Sequence, residues 1–331
     1  MHLAKTLARP AFTLVELLVV VAILIVLAML ATVTISSTFN YVTEVRARNE
    51  IEQLADACEA FKLQYGRYPP SHVHLREKGN YEEPAVGGGP VREYLASKAE
   101  LEAIFRGIDL DLYARSGGQA WHDWNGNGVA DDGYWLDGEQ CLVFFLGGLF
   151  ERDPQTGAYH LTGFCPDKTR PAVRTPGKPR SGPFFEFDSR RLVSLEKWGR
   201  GREPANQKSL AFPVYLDPWG VPYAYFRAGP PNDPPIYRNT SHLYLFVMNH
   251  AVNDDPAGML FTPYWREPGP PGQDRIWHMP SKFQIISAGK DKKFGGGGRW
   301  PFRASDPVGI TTPYDHDNLT NFAERRLGVG H

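Results

Sequence analysis

The chain has 331 residues, and its 36 Lys and Arg against 37 Asp and Glu leave a formal net charge of −1. That balance gives no electrostatic reason to expect nucleic acid or a polybasic membrane contact. Three cysteines are too few for a disulfide framework, and 33 Gly with 28 Pro in a chain that is 42% hydrophobic predict a globular fold rich in loops and short strands.

The first element is "RPAFTLVELLVVVAILIVLAML", residues 9–30, in which Glu16 is the only charge from Leu14 to Ala31. The run exceeds the ~7–15 residues of a secretory h-region. It has the length of a membrane helix. Lys5 and Arg9 precede it, which predicts that the short leader stays cytoplasmic and the rest crosses. A carboxylate in lipid costs about 2.5–3.5 kcal/mol, so Glu16 needs a reason. A plain signal anchor supplies none. A cleaved secretory signal would use Thr34-Ile35-Ser36, and a Glu snorkelling at the interface is the local alternative.

"AFTLVELL" resembles the type IV prepilin motif: a basic leader, a small residue before the cut, Phe first in the mature chain and Glu fifth. The resemblance implies cleavage between Ala11 and Phe12 by a prepilin peptidase, with methylation of the new N-terminus. Ala11 stands where that family usually has Gly. Glu16 would then neutralise the N-terminal ammonium of a neighbouring subunit, since paired charges among apolar helices are favoured over either alone. The implied organisation is a leader at 1–11, a transmembrane segment at 12–35 crossing the inner membrane once, an amphipathic continuation at 36–66 and an extracytoplasmic domain in the periplasm at 67–331.

Val45, Ile51, Leu54, Cys58, Phe61 and Tyr65 form an apolar stripe with Glu44, Arg46, Arg48, Glu50, Glu52 and Asp56 between them. This predicts an amphipathic helix. Gly66 is the expected C-cap, and Pro69-Pro70 stop any resumption. "VREYLASKAELEAIFRGI" predicts a helix, and "QCLVFFLGGLF" a strand or a helix. Residues 166–183 are basic and Pro-rich and predict an exposed loop. "AFPVYLDPWGVPYAYFRA" predicts strand, turn, strand about Asp217-Pro218-Trp219-Gly220. "HLYLFVMN" and "FQIISAG" predict strands. Cys58 reads as a small core residue; Cys141 and Cys165 are either a disulfide in an oxidising compartment or two buried thiols.

No catalytic group is legible. There is no Gly-x-Ser-x-Gly elbow and no HExxH helix, and Gly295–Gly298 lack the Lys-Ser/Thr of a phosphate loop, so a non-enzyme is expected. His72-x-His74 is half a metal site without partners and reads as a solvated loop pair. The oxygen-rich stretch is "DWNGNGVADDG". Asp123, Asn125 and Asn127 alternate before Gly128, Val129 offers a carbonyl, and Asp131 falls at the ninth position. That is the spacing of an EF-hand-like calcium loop, with Tyr134 in place of the twelfth-position Glu and Asp132 as a substitute. A polar turn with Asx hydrogen bonds is the alternative.

"YLDPWGVPYAY" followed by "FQIISAGKDKKFGGGG" resembles the major pseudopilin of type II secretion systems. The resemblance covers the first 70 residues, 212–226 and 283–318, and leaves 71–210 as a large insertion. It implies a calcium loop beginning at Asp291, with Asp315 or Asp317 supplying its other side. The expected fold is therefore α+β: a long N-terminal helix, transmembrane then amphipathic, packed on one antiparallel sheet. The implied role is a subunit of a filament for protein export. Its partners would be other pilin-like subunits, prepilin peptidase and a secretion platform protein with its ATPase. A membrane-anchored extracytoplasmic binding protein is the alternative.

Overall fold

In a computed structural model the described residues are 14–81, 91–130, 133–174, 177, 179–195, 211–228, 261–267, 276–301 and 313–328, with side chains described except at 28, 30–39, 91–93, 267, 276, 313 and 314. The leader 1–11 and "HLYLFVMN" lie outside them. Two compact units are present, Met1–Val45 and Arg46–His331.

The helix α1, Leu14–Tyr65, contains no Gly or Pro to interrupt it. It ends where the sequence places its cap: Gly66 takes φ +82°, and its N–H donates to the Lys62 carbonyl at 2.7 Å. In the first unit the apolar side chains of Leu14–Leu27 are exposed, from 79% at Leu14 to 46% at Val21. Among the described residues no helix is long and apolar enough to cross a membrane. The expectation of single-pass inner-membrane anchoring is corrected accordingly.

In the second unit α1 turns one face inward. Ala47, Ile51, Leu54, Cys58, Phe61 and Tyr65 are buried, while Val45 stays exposed, so the stripe begins at Ala47. The remaining elements in chain order are β1 His72–Leu75, α2 Val91–Ile104, α3 Leu112–Arg115, β2 Tyr134–Asp137, α4 Gly138–Gly147, β3 Phe150–Arg152, β4 Tyr159–Leu161, β5 Leu192–Ser194, β6 Pro213–Tyr215, β7 Ala224–Arg227, β8 Thr262–Glu267, β9 Ile276–Trp277, β10 Phe283–Ser287, β11 Gly297–Arg299 and β12 Leu319–Thr320.

The fold-class expectation also needs correction. The described side chains of α1 fall into two stretches, Leu14–Leu27 and Asn40–Tyr65, and neither is a long apolar helix. No single antiparallel sheet receives the helix. The strands form small sheets: β1-β2, β3-β4, β5-β6, β12-β10-β7 and β11-β8-β9. One of these is mixed, because β11 runs parallel to β8. Strands of two to six residues, broken by Gly and Pro, are too short to extend one ladder.

The sheet β12-β10-β7 sits between two cores. Tyr225 of β7 and Phe283 and Ile285 of β10 face a core shared with α1, α2 and α4. Ala224, Phe226 and Ile286 face the other, with Phe261, Tyr264, Trp265 and Phe294. Alternation of side chains along each strand divides them this way. The predicted hairpin is present only in part. Its strands β6 and β7 flank the Asp217–Gly220 turn, but β6 pairs with β5 and β7 with β10, and one bridge, Leu216 to Pro222, joins them. "QCLVFFLGGLF" resolves as helix α4. Residues 166–183 hold no helix or strand among their described positions.

Candidate cation site and the exposed helix

Two oxygen-rich loops were candidates for calcium, and their geometries differ. In the first, Asp123 Oδ1 accepts from the Gly126 N–H at 2.8 Å and Oδ2 from the Gly128 N–H at 3.2 Å. Asn125 Oδ1 accepts from the Asn127 N–H at 3.0 Å, and Asn127 Oδ1 from the Val129 N–H at 2.8 Å. Asn125 also donates to the Tyr134 hydroxyl at 2.7 Å. The alternating oxygens thus close successive Asx turns. A Cβ on Gly126 would meet the Arg174 guanidinium at 2.7 Å, and the Asp123 carboxylate is among the charges that stabilise that guanidinium. Asp131 and Asp132 lie outside the described residues.

The second loop starts at the end of β10. Gly289 takes φ +71°, and a Cβ there would meet the Asp317 carbonyl oxygen at 2.2 Å, so only glycine lets the two segments approach. The approach brings Asp317 to Asp291: the Asp291 N–H donates to Asp317 Oδ2 at 2.8 Å. Asp291 Oδ1 accepts from the Lys293 N–H at 2.8 Å. Asp317 Oδ1 is shut from solvent and has no hydrogen-bond partner. Asp291 keeps an exposed edge, yet desolvation of its inner side and the Asp317 carboxylate push its acid up to about 6. Two carboxylates crowded together with one oxygen unanswered suit a hard divalent cation.

Asp315 is not part of that pair. It is fully buried; its Oδ1 accepts from the Tyr264 hydroxyl at 2.7 Å and the Gly297 N–H at 2.8 Å, and its Oδ2 from the Gly296 N–H at 3.2 Å. It anchors the glycine run that the sequence shows as Gly295–Gly298. Among the described residues no group of three or more His, Cys, Asp or Glu is placed to hold a metal ion. A calcium ion between Asp291 and Asp317 would therefore draw the rest of its shell from carbonyls and water.

His72 and His74 are not a solvated pair. Both are buried in β1, His72 Nδ1 lies 2.8 Å from Asp137 Oδ1, and the Trp135 ring packs on both imidazoles. A sequence signal was present: His-Val-His-Leu alternates, and Tyr-Trp-Leu-Asp alternates opposite it in register. Cys141 and Cys165 are free thiols, the first buried and the second half-buried. Burial pushes the Cys141 thiol well up, with Asp137 and Glu139 adding to the effect. Of the residues expected to take part in processing, Ala11 and Phe12 lie outside the described residues, and Glu16 sits exposed in the first turn of α1.

The sequence also missed a polar clamp on the helix. Glu50 of α1 is buried, accepts from Arg191 Nη1 and the Tyr223 hydroxyl, each at 2.8 Å, and takes a second bond from Arg191 Nη2. The clamp ties α1 to the turn containing Asp217. That carboxylate accepts from the N–H groups of Trp219 and Val221 and from Ser287 Oγ at 2.6 Å.

No family model matches the chain, and no curated protein or solved structure matches it either.

Proposed function

We propose that the chain is a non-catalytic structural subunit of a pilin-like filament of the type II secretion kind, self-assembling through the apolar start of α1. One observation carries this reading. The side chains of Leu14–Leu27 are apolar and exposed all round the helix, while the same helix further on buries its stripe in the protein's own core. Contiguous apolar surface of this extent marks an interaction site. Glu16, the one charge in the run, supplies the register device that a bundle of such helices needs. The partners are further copies of the chain, a prepilin peptidase acting between Ala11 and Phe12, and a secretion platform protein with its ATPase. Calcium at Asp291 and Asp317 serves the stability of the head.

Cysteine cross-linking between neighbouring copies tests the reading. Glu16→Ala is expected to lower cross-linking and leave the unfolding of the Arg46–His331 unit unchanged. Normal cross-linking in that variant would remove the neighbour pairing. Mass spectrometry of the mature N-terminus is expected to find Phe12 first; a start beyond residue 30 would point to ordinary signal cleavage.

A ligand-binding role is the second reading, favoured by a cleft of about 400 Å³ lined by Arg48, Glu52, Arg266, His278 and Phe322. Co-purification with a secretion platform protein separates the two.

A further inference from the structure

Helix α4 is buried along its whole length, from Gly138 to Gly147, and its second residue is an acid. Glu139 is 1% exposed, and both its carboxylate oxygens are shut from solvent with no hydrogen-bond partner on another residue. A Cβ on Gly138 would meet the Tyr225 carbonyl oxygen at 2.0 Å, so α4 sits directly on the backbone of β7.

The elements in most extensive contact with α4 are β1, β2, β6 and β7, and α1 reaches it through Phe61 against Phe145. The strands bring His72 and His74, Tyr134 and Asp137, Tyr215, and Tyr225 with Arg227; Cys141 follows on α4 itself. Asp137, Arg227 and Tyr225 are engaged elsewhere, and burial pushes the His74 imidazole down to about 3, so it offers no positive charge. Asp137 is paired with His72. The Arg227 guanidinium is held by both oxygens of Glu100, which Arg67 also contacts at 2.9 Å. Tyr225 donates its hydroxyl to the Pro69 carbonyl at 2.7 Å. An anion buried with no partner neutralises in preference to remaining charged.

We propose that Glu139 is a proton-operated latch. Held as the neutral acid, it lets the first turn of α4 stay buried against β2 and β7, and loss of its proton loosens that turn. Burial above all, and the Asp137 carboxylate after it, push the acid up to about 8, with only its own backbone N–H pulling the other way. The folded chain therefore holds this proton more tightly than the unfolded chain, whose glutamates titrate near about 4.3. Its contribution to stability is fully present below about pH 4.3 and is lost as pH rises to about 8, at up to about tenfold in the folding constant per pH unit. This inference is independent of filament assembly.

Among the described residues the other raised carboxyls, Asp217 and Asp291, each stand at about 6, so the interval from about pH 7 to 9 sets Glu139 apart from them. Two measurements on the full chain test the latch. Infrared difference spectra across that interval are expected to show loss of a protonated carboxylic acid band in the wild type and none in Glu139→Gln. Thermal unfolding is expected to give equal melting temperatures for the two proteins near pH 4, with the variant increasingly the more stable as pH rises to 9. An absent acid band at neutral pH in the wild type overturns the proposal, as do parallel stability profiles. If Glu139→Gln does not fold, the wild-type spectrum decides alone.

Discussion

The two ends of α1 are built from the same kinds of residue and meet opposite fates. From Ala47 to Tyr65 the apolar side chains vanish into a core with Tyr223, Tyr225 and Phe283, and the one buried acid on that face, Glu50, is answered by Arg191 and Tyr223. From Leu14 to Leu27 the apolar side chains stand in solvent. Helical periodicity explains the difference. The inner stretch confines its apolar residues to a stripe and fills the rest with charge, so it has one face to bury and one to solvate. The outer stretch is apolar all round, and one chain cannot cover it. The same division holds between the two oxygen-rich loops: the Asp123 loop satisfies its own oxygens, while the Asp291–Asp317 pair leaves one unanswered.

Changes to groups closed within the chain are expected to move stability, and changes to groups left open to move binding. The largest effect is expected at Phe61, fully buried against Tyr65, Phe145 and Phe184. Phe61→Ala should cost about 3–5 kcal/mol in chemical denaturation. Glu50→Ala should cost about 2–4 kcal/mol, because it strips the Arg191 guanidinium of its close carboxylate, leaving Asp188 at 4.0 Å, and leaves the Tyr223 hydroxyl without its acceptor. A loss below ~1 kcal/mol at either site would show that the inner stretch is not closed.

Calcium comes next. A site held at 100 times its Kd adds about 2.7 kcal/mol, so the melting temperature should rise with calcium over chelator. Asp317→Asn should abolish that rise and Asp123→Ala should leave it intact. The reverse pattern would make the first loop the cation site. Gly66→Ala should then cost about 1 kcal/mol, since φ +82° is strained for any residue with a Cβ. The smallest stability effect is expected in the open stretch: Leu18→Ser should change unfolding by less than ~0.5 kcal/mol while weakening self-association measured by sedimentation. A large loss of stability there would break the comparison at its open end.

Much of the local structure was legible because local chemistry fixes it. The stop at Gly66 needed a positive φ, α2 and β10 carried their own periodicity, and the Asp217 turn carried its Pro and Gly at the right places. Where periodicity was silent, tertiary contacts decided. "QCLVFFLGGLF" is apolar throughout and gives no period; it became helix α4 because neighbours bury it on every side. His72 and His74 looked solvated until β2 placed Asp137 and Trp135 against them.

The candidate site divides along the same line. The sequence by itself set which segments carry carboxylates, and it set the apolar run with its lone Glu16. It could not choose between Asp315 and Asp317, because that choice depends on which carboxylate the Gly289 approach leaves facing Asp291 and which the Gly296 and Gly297 amides bind. Nor could it foresee a divided sheet, because pairing joins residues far apart along the chain. β7 lies next to β6 in sequence, yet it finds its ladder with β10 and leaves β6 to β5. Helix ends and turns are decided by neighbours within a few residues; sheet partners, buried charges and metal ligands are decided by which distant segments the core brings together.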